Sequence, residues 1–297
     1  MTRWIAADWG TSRLRLWAMA DGVVVDSAVS EDGMGGLAPD GFEPAFLSAA
    51  QRMLPFAGRV PVLICGMAGA RTGWHEVAYG PVPGPPLHPP ERVPAGDPRL
   101  EVRILPGLAQ SDPPDVMRGE ETQIAGLVAS DPGFDGVLCL PGTHTKWVRV
   151  AGGRVLAFRT VMTGELFALL ATRSTLSAFA AEGWDDPAFD AAMRQGLDRP
   201  GGLTGDLFAI RAGGLLRGDP PGAARARLSG LLIGAEVAAM RDLWPGQPVT
   251  LLGDAGLAAL YHRALTMAGL AAGTTDGTAL TLAGLIAARA QFARDTA

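Results

Sequence analysis

Short apolar runs broken by glycine open the chain. Residues 4–8 form the first run, and 14–19 and 23–28 follow closely. Asp21-Gly22 separates the last two, a pair suited to a tight hairpin because both residues tolerate positive φ. Three short strands in antiparallel succession are therefore predicted. Residues 42–54 carry apolar side chains at helical spacing, with Phe42, Phe46, Leu47 and Met53 on one stripe. Residues 60–65 are nearly continuously apolar and end at Gly66, as a strand buried on both faces would be. Antiparallel strands, a helix and a buried strand predict an α/β fold with a mixed sheet covered by helices.

Residues 80–99 are dense in proline and glycine and read as a long surface loop or irregular lid. A strand over 100–105 and a helix over 119–129 follow, and the turn-rich stretch 130–136 marks a boundary. The expected domains are 1–130 and 131–297, with the last helix free to pack back on the first domain. A second strand cluster spans 137–140, 145–150 and 155–159, broken at Pro141-Gly142 and Gly152-Gly153. It repeats the opening pattern. Helices are predicted over 164–172, 187–196, 203–216, 222–243, 255–268 and 277–293, with one strand at 249–252. The weak duplication suggests two similar half-sheets facing each other across a cleft.

Composition narrows the function classes. Hydrophobic residues make up 48% and charged residues 19% of 297, enough for a large core and against disorder. The net charge of −5, without any basic run, argues against nucleic acid as a partner. Asp8 and Arg13 interrupt any signal-peptide core, and the apolar run 278–288 is too short to span a bilayer, so a soluble cytoplasmic protein without membrane contact is expected. Cys65 and Cys139 sit in apolar runs as reduced core residues. Lys146 is the single lysine among 25 basic residues. GC-rich coding explains the arginine bias; a role needing a compact ammonium is the sharper explanation for this lysine.

Five segments carry candidate chemistry. In Asp8-Trp9-Gly10-Thr11-Ser12, glycine lets backbone approach an anion, and the hydroxyls of Thr11 and Ser12 can donate to phosphate. Asp8 is suited to hold Mg²⁺ through water, and Arg13 or Arg15 adds charge beside a transferred phosphate. An ordinary hairpin is the plain alternative. Gly142-Thr143-His144-Thr145-Lys146 also follows an apolar strand and offers a second phosphate hairpin, although it is no Walker A loop. Gly119-Glu120-Glu121 begins a helix. Phosphoryl transfer to an alcohol needs a carboxylate base, yet dipole compensation alone would also place acids there. Gly66-Met67-Ala68-Gly69-Ala70-Arg71 is a loop at a strand end, a good place to meet a substrate, and Arg71 can pair with a carboxylate or merely with a surface acid. Gly253-Asp254 turns a strand into a helix where a nucleoside could lie. Residues 228–236, including Gly234, could form the other wall.

Taken together these segments resemble the sugar kinases of the actin/hexokinase/Hsp70-like superfamily, and more closely the 2-dehydro-3-deoxygalactonokinase family. The matching strings are 7–12, 66–74, 117–123, 140–147, 158–167, 228–236 and 251–257, in order along the chain. The resemblance implies two actin/ribonuclease H-like domains around a central nucleotide cleft. It also implies ATP and Mg²⁺, and transfer of the γ-phosphate to the 6-hydroxyl of 2-dehydro-3-deoxy-D-galactonate. In related kinases a Gly-Asp pair supplies the base, which favours Glu120 over Glu121; Glu for Asp is a departure. Glu121 and Glu165, the latter within Thr163-Gly164-Glu165, are carried over as substrate-side residues. Where the family pattern has His-Ser, this chain has Arg173-Ser174. Two other readings remain: a kinase for another sugar acid or amino sugar, and a non-catalytic ATP-binding protein of the same fold. A homodimer is compatible with the sequence.

Overall fold

The computed structural model describes residues 4–56, 58–180, 182–243 and 246–292. Its elements run β1 (Trp4–Trp9), β2 (Leu14–Ala20), β3 (Val23–Ser30), α1 (Phe42–Ala49), β4 (Val60–Gly66), β5 (Tyr79–Val82), β6 (Glu91–Val93), β7 (Leu100–Ile104), β8 (Gly107–Ser111), β9 (Pro114–Met117) and α2 (Glu120–Ser130). They continue as β10 (Gly136–Leu140), β11 (Thr145–Ala151), β12 (Arg154–Val161), α3 (Thr163–Arg173), α4 (Asp186–Asp198), α5 (Leu203–Arg217), α6 (Pro221–Ala239), β13 (Val249–Leu252), α7 (Ala255–Met267), β14 (Ala272–Thr275) and α8 (Gly277–Phe292).

The chain forms two compact units. One takes the described residues of Met1–Phe134, Ala151–Ala157 and Gly277–Ala297, the other those of Asp135–Val150 and Phe158–Asp276. The first holds a six-stranded sheet in the order β3-β2-β1-β4-β7-β6. Its antiparallel hairpin β1–β2–β3 turns at Asp21 and Gly22, which both take positive φ, 51° and 80°. β4 and β7 then add in parallel. Side chains alternate across β1, so Ile5, Ala7 and Trp9 join Phe42 and Phe46 of α1 in one core, while Trp4 and Ala6 join Cys65, Ala125 and Leu285 in another. That second face is covered by α2 and α8, which cross closely at two glycines. A Cβ on Gly126 would run into the Leu280 carbonyl, and one on Gly284 into the Thr122 carbonyl.

The second sheet has the order β12-β11-β10-β13-β14. Its hairpin β10–β11–β12 turns at Gly152 and Gly153, again both at positive φ, and β13 and β14 again add in parallel. The same sequence of a three-stranded meander followed by parallel strands thus occurs twice, as the repeated strand–glycine–strand pattern predicts. Each unit is an actin/ribonuclease H-like α/β sheet with helices. Val137, Cys139, Trp147 and Leu251 face Phe189, Ile233 and Tyr261 in the second unit's core. Both cysteines are buried and free.

The proline-rich stretch departs from the expected loop. β5 pairs in parallel with β8, β6 pairs antiparallel with β7, and Gly84 bridges Val155. Leu87 is buried. Prolines are tolerated because these are edge positions needing few N–H donors. β8, β9 and β14 were also invisible to the apolar pattern, being short and poor in β-branched residues. Among the described residues no helix is long and apolar enough to cross a membrane.

Candidate active site

In the first unit the ends of β1 and β4 and the start of α2 converge. Asp8 lies beside Cys65 in the β1–β4 register and opposite Arg15 in the β1–β2 register. Arg15 Nη1 donates to Asp8 Oδ2 at 3.1 Å, and Cys65 Sγ lies 3.8 Å from Oδ1. Burial raises the Asp8 pKa, partly offset by Arg15. Burial, with the nearby Asp8 and Glu121 charges, also pushes the Cys65 thiol up. The turn after β1 closes with Gly10 N–H donating to the Arg13 carbonyl at 2.8 Å, and Thr11 and Ser12 stand exposed at its tip. Residues 33–35 lie on this turn: Met34 N–H donates to the Gly10 carbonyl and Gly35 N–H to Thr11. Arg13 spends its guanidinium on exposed Glu31, 3.2 Å away.

Gly66 ends β4 at φ 87°, and a Cβ there would stand 2.5 Å from the Trp9 carbonyl oxygen. The strand end can approach β1 only as glycine. Met67 and Ala68 follow in a short 3₁₀ turn, with Ala68 buried. Arg71 is 87% exposed in its side chain and faces Glu76 at 3.5 Å, so its observed partner is the surface acid. Gly119, at φ 110°, places its Cα so that a Cβ would sit 3.4 Å from Gly66 Cα. The two loops therefore touch.

The acid pair at the start of α2 divides. Glu121 is fully buried; it accepts from Gly119 N–H at 2.6 Å and from the Thr122 hydroxyl at 3.0 Å. Burial, and then the charge of Glu120, pushes its pKa up to about 8. Glu120 is partly exposed, with Oε2 accepting from Arg118 N–H at 3.1 Å. At neutral pH Glu121 holds a proton, while its neighbour meets solvent.

In the second unit the loop between β10 and β11 is held by α3. Glu165 N–H donates to the Thr143 carbonyl at 2.9 Å, and Gly164 packs so closely that a Cβ would strike the Gly142 carbonyl. His144 Nε2 and Glu165 Oε2 are 2.6 Å apart. Lys146 is buried, and Nζ donates to Thr160 Oγ1 at 2.7 Å. Behind the loop, Glu236 is 3% exposed and accepts from Trp147 Nε1 and from the Tyr261 hydroxyl, both at 2.7 Å. Tyr261 and Thr145 share a hydroxyl–hydroxyl bond of 2.8 Å. Burial pushes the Glu236 pKa up to about 7, against its hydrogen bonds from Thr163, Tyr261 and Trp147. Of this network the sequence offers Thr145 as a site residue, holds Trp147, Thr163 and Glu236 only as members of longer candidate strings, and leaves Tyr261 out. A lone Glu inside the apolar run of α6 was the signal available.

Above that network lies a cavity of roughly 250 Å³ whose lining includes Gly142, Phe167, Arg225, Ile233, Leu257 and Tyr261. Gly234, expected on its wall, instead faces α4, where a Cβ would meet the Met193 carbonyl; its neighbours Leu232 and Ile233 line the cavity. Gly253 packs toward the Pro141 carbonyl. Asp254 caps α7, accepting from Gly256 and Leu257 N–H at 2.9 and 3.2 Å.

The family described as 2-keto-3-deoxy-galactonokinase matches residues 8–288. The chain belongs to the 2-keto-3-deoxy-galactonokinase family. A Rhizobium meliloti (strain 1021) relative named "Probable 2-dehydro-3-deoxygalactonokinase" is 43% identical over 292 residues, 95% of each chain. The Escherichia coli (strain K12) 2-dehydro-3-deoxygalactonokinase is 38% identical over 272 residues, 90% of each. A crystal structure from Sinorhizobium meliloti, described under the same kinase name, superposes with a TM-score of 0.86 at 40% identity, covering 97% of this chain and 99% of its own. An activator of 2-hydroxyisocaproyl-CoA dehydratase from Clostridium difficile, with ADPNP bound, shares the fold alone at a TM-score of 0.52 and 10% identity. The family thus agrees with the kinase expected from the phosphate hairpins and the acid pair.

Proposed function

We propose that this chain transfers the γ-phosphoryl group of ATP to the 6-hydroxyl of 2-dehydro-3-deoxy-D-galactonate, a step of galactonate breakdown. The observation that carries the reading is the match to a named kinase of this acid over 95% of the chain. Glu120 accepts the proton of the attacking hydroxyl. It is the partly exposed member of the pair, whereas Glu121 is buried and proton-bearing. The cavity beside Tyr261 receives the nucleoside, and the loop carrying Gly142, Thr143, His144 and Thr145 receives phosphate. Gly10, Thr11 and Ser12 present a second phosphate-binding turn.

Among the described residues no three metal-ligating side chains gather. A magnesium ion carried by nucleotide phosphates and water needs fewer, and Asp8, with a carboxylate at the end of β1, fits that mode. When bound, Mg²⁺ neutralises phosphate charge. Asp8 would orient its waters while Arg15 holds the carboxylate in place.

A coupled ADP-release assay over a panel of 2-keto-3-deoxy sugar acids tests the reading. Strong stimulation by the galactonate derivative is expected; silence with every acid would remove the proposal. Lys146 is assigned to phosphate handling through its compact ammonium. Lys146→Met should raise KM for ATP about tenfold, without rescue by Arg, whose planar fork has different geometry. Unchanged kinetics in Lys146→Met would remove the phosphate role and leave this lysine a structural one, the bond to Thr160 included.

A further inference from the structure

Arg118 joins the Gly66–Arg71 loop to the start of α2, and the chemistry above makes no use of it. It is 9% exposed, and its guanidinium carbon lies 4.2 Å from the Tyr79 ring centroid. Nη2 donates to the Val77 carbonyl at 2.6 Å. Nε and Nη1 are buried without an acceptor among the described residues. Gly69 lies against the same group, since a Cβ there would stand 2.6 Å from Nη1.

Arginine cannot shed its proton to escape burial, so an unpaired buried guanidinium is costly and needs an explanation. Its geometry leaves a recognition edge open. Nη2 carries two hydrogens, and Val77 takes one. The other, together with Nε or Nη1, completes a two-pronged edge of the kind that binds carboxylate. Exposed Arg71, paired with Glu76, lacks this preorganisation.

We propose that Arg118 is the specificity residue that anchors the carboxylate of the sugar-acid substrate. The inference rests on the kinase reading and deepens it. The acid end meets Arg118 once the loop shifts at Gly69, and the hydroxyl end meets Glu120, two residues further on. An acid is then favoured over a neutral sugar because only an anion compensates the buried charge.

The test compares the sugar acid with its primary carboxamide, using the intact enzyme, Arg118→Lys and Arg118→Met. The wild type should show a lower KM for the acid. Arg118→Met should raise that KM about 10- to 100-fold, with the carboxamide and ATP values moving less than about threefold. Arg118→Lys should fall between. Equal losses for acid and carboxamide would make Arg118 a loop staple and overturn the proposal. So would an unchanged acid KM, or a rise confined to ATP. If the methionine variant does not fold, thermal shift of the wild type decides: the acid should stabilise it more than the carboxamide, and equal shifts overturn the anchor. A wild type that phosphorylates neither compound overturns the kinase reading and the anchor with it, whereas equal losses in an active enzyme overturn the anchor alone.

Discussion

Glu120→Gln should lower kcat on the order of 10²–10⁴-fold while leaving ATP affinity nearly unchanged. Glutamine keeps the shape of the side chain and can still accept from Arg118 N–H, as Oε2 of Glu120 does at 3.1 Å. It cannot take a proton from the attacking hydroxyl. The same substitution one residue later should behave differently. Glu121 is buried and holds its proton near neutral pH, so Glu121→Gln replaces a neutral group with a neutral group of the same shape. Its kcat should stay within about tenfold of wild type on that account. Steady-state turnover and nucleotide titration of the two variants make the comparison. Near-normal turnover of Glu120→Gln would remove the base assignment, and inverted losses would transfer it to Glu121.

Stability should fall as pH rises from about 5 to 9, and Glu121 should account for most of the fall above pH 7. Its pKa stands at about 8 in the folded chain against an ordinary 4.5. Below about 4.5 the carboxyl is protonated whether folded or not, and nothing is lost. Between the two values the unfolded chain has released a proton that the folded chain retains, so each pH unit favours unfolding. Above about 8 both states are ionised and the full cost, on the order of a few kcal/mol, is present. Glu236 adds a change of the same sign that finishes near pH 7. The lowered carboxylates Asp97, Asp186 and Asp219 act in the opposite sense at acid pH, outside this window, and His88, which burial lowers from the ordinary 6.5, opposes the fall only in its acid part, leaving the range above pH 7 to Glu121. Melting temperatures taken from pH 5 to 9 should therefore drop by several degrees, and Glu121→Gln should flatten the upper half of the curve. A flat wild-type curve, or an equal slope in the variant, would contradict the buried acid.

Local chemistry made the two meanders legible. Asp21-Gly22 and Gly152-Gly153 need φ values that few other pairs accept, and the apolar runs beside them have strand length. The helices of the second unit were legible for a similar reason, since their apolar spacing persists over several turns. The same reading had no purchase on β5, β6, β8 and β9, short strands set among prolines and small residues that look like loop. Their pairing partners define them, and partners are distant in sequence.

Side-chain roles divide the same way. By itself the sequence determined which residue types stood at strand ends and helix starts, the twofold repeat of strands, and the resemblance to sugar kinases. It placed two acids at one helix start and favoured Glu120 only through the family resemblance, and it offered Arg71 because that arginine lies in a glycine-rich loop. Tertiary structure alone buried Glu121 and left Glu120 partly exposed. It set Arg71 at the surface and closed Arg118 beneath the same loop, turned Gly234 toward α4, and tied Glu236 to Trp147 and Tyr261. The physical reason is common to all of these. Backbone preference is settled by near neighbours, whereas burial and the partner of a charge depend on which segments the fold brings against it.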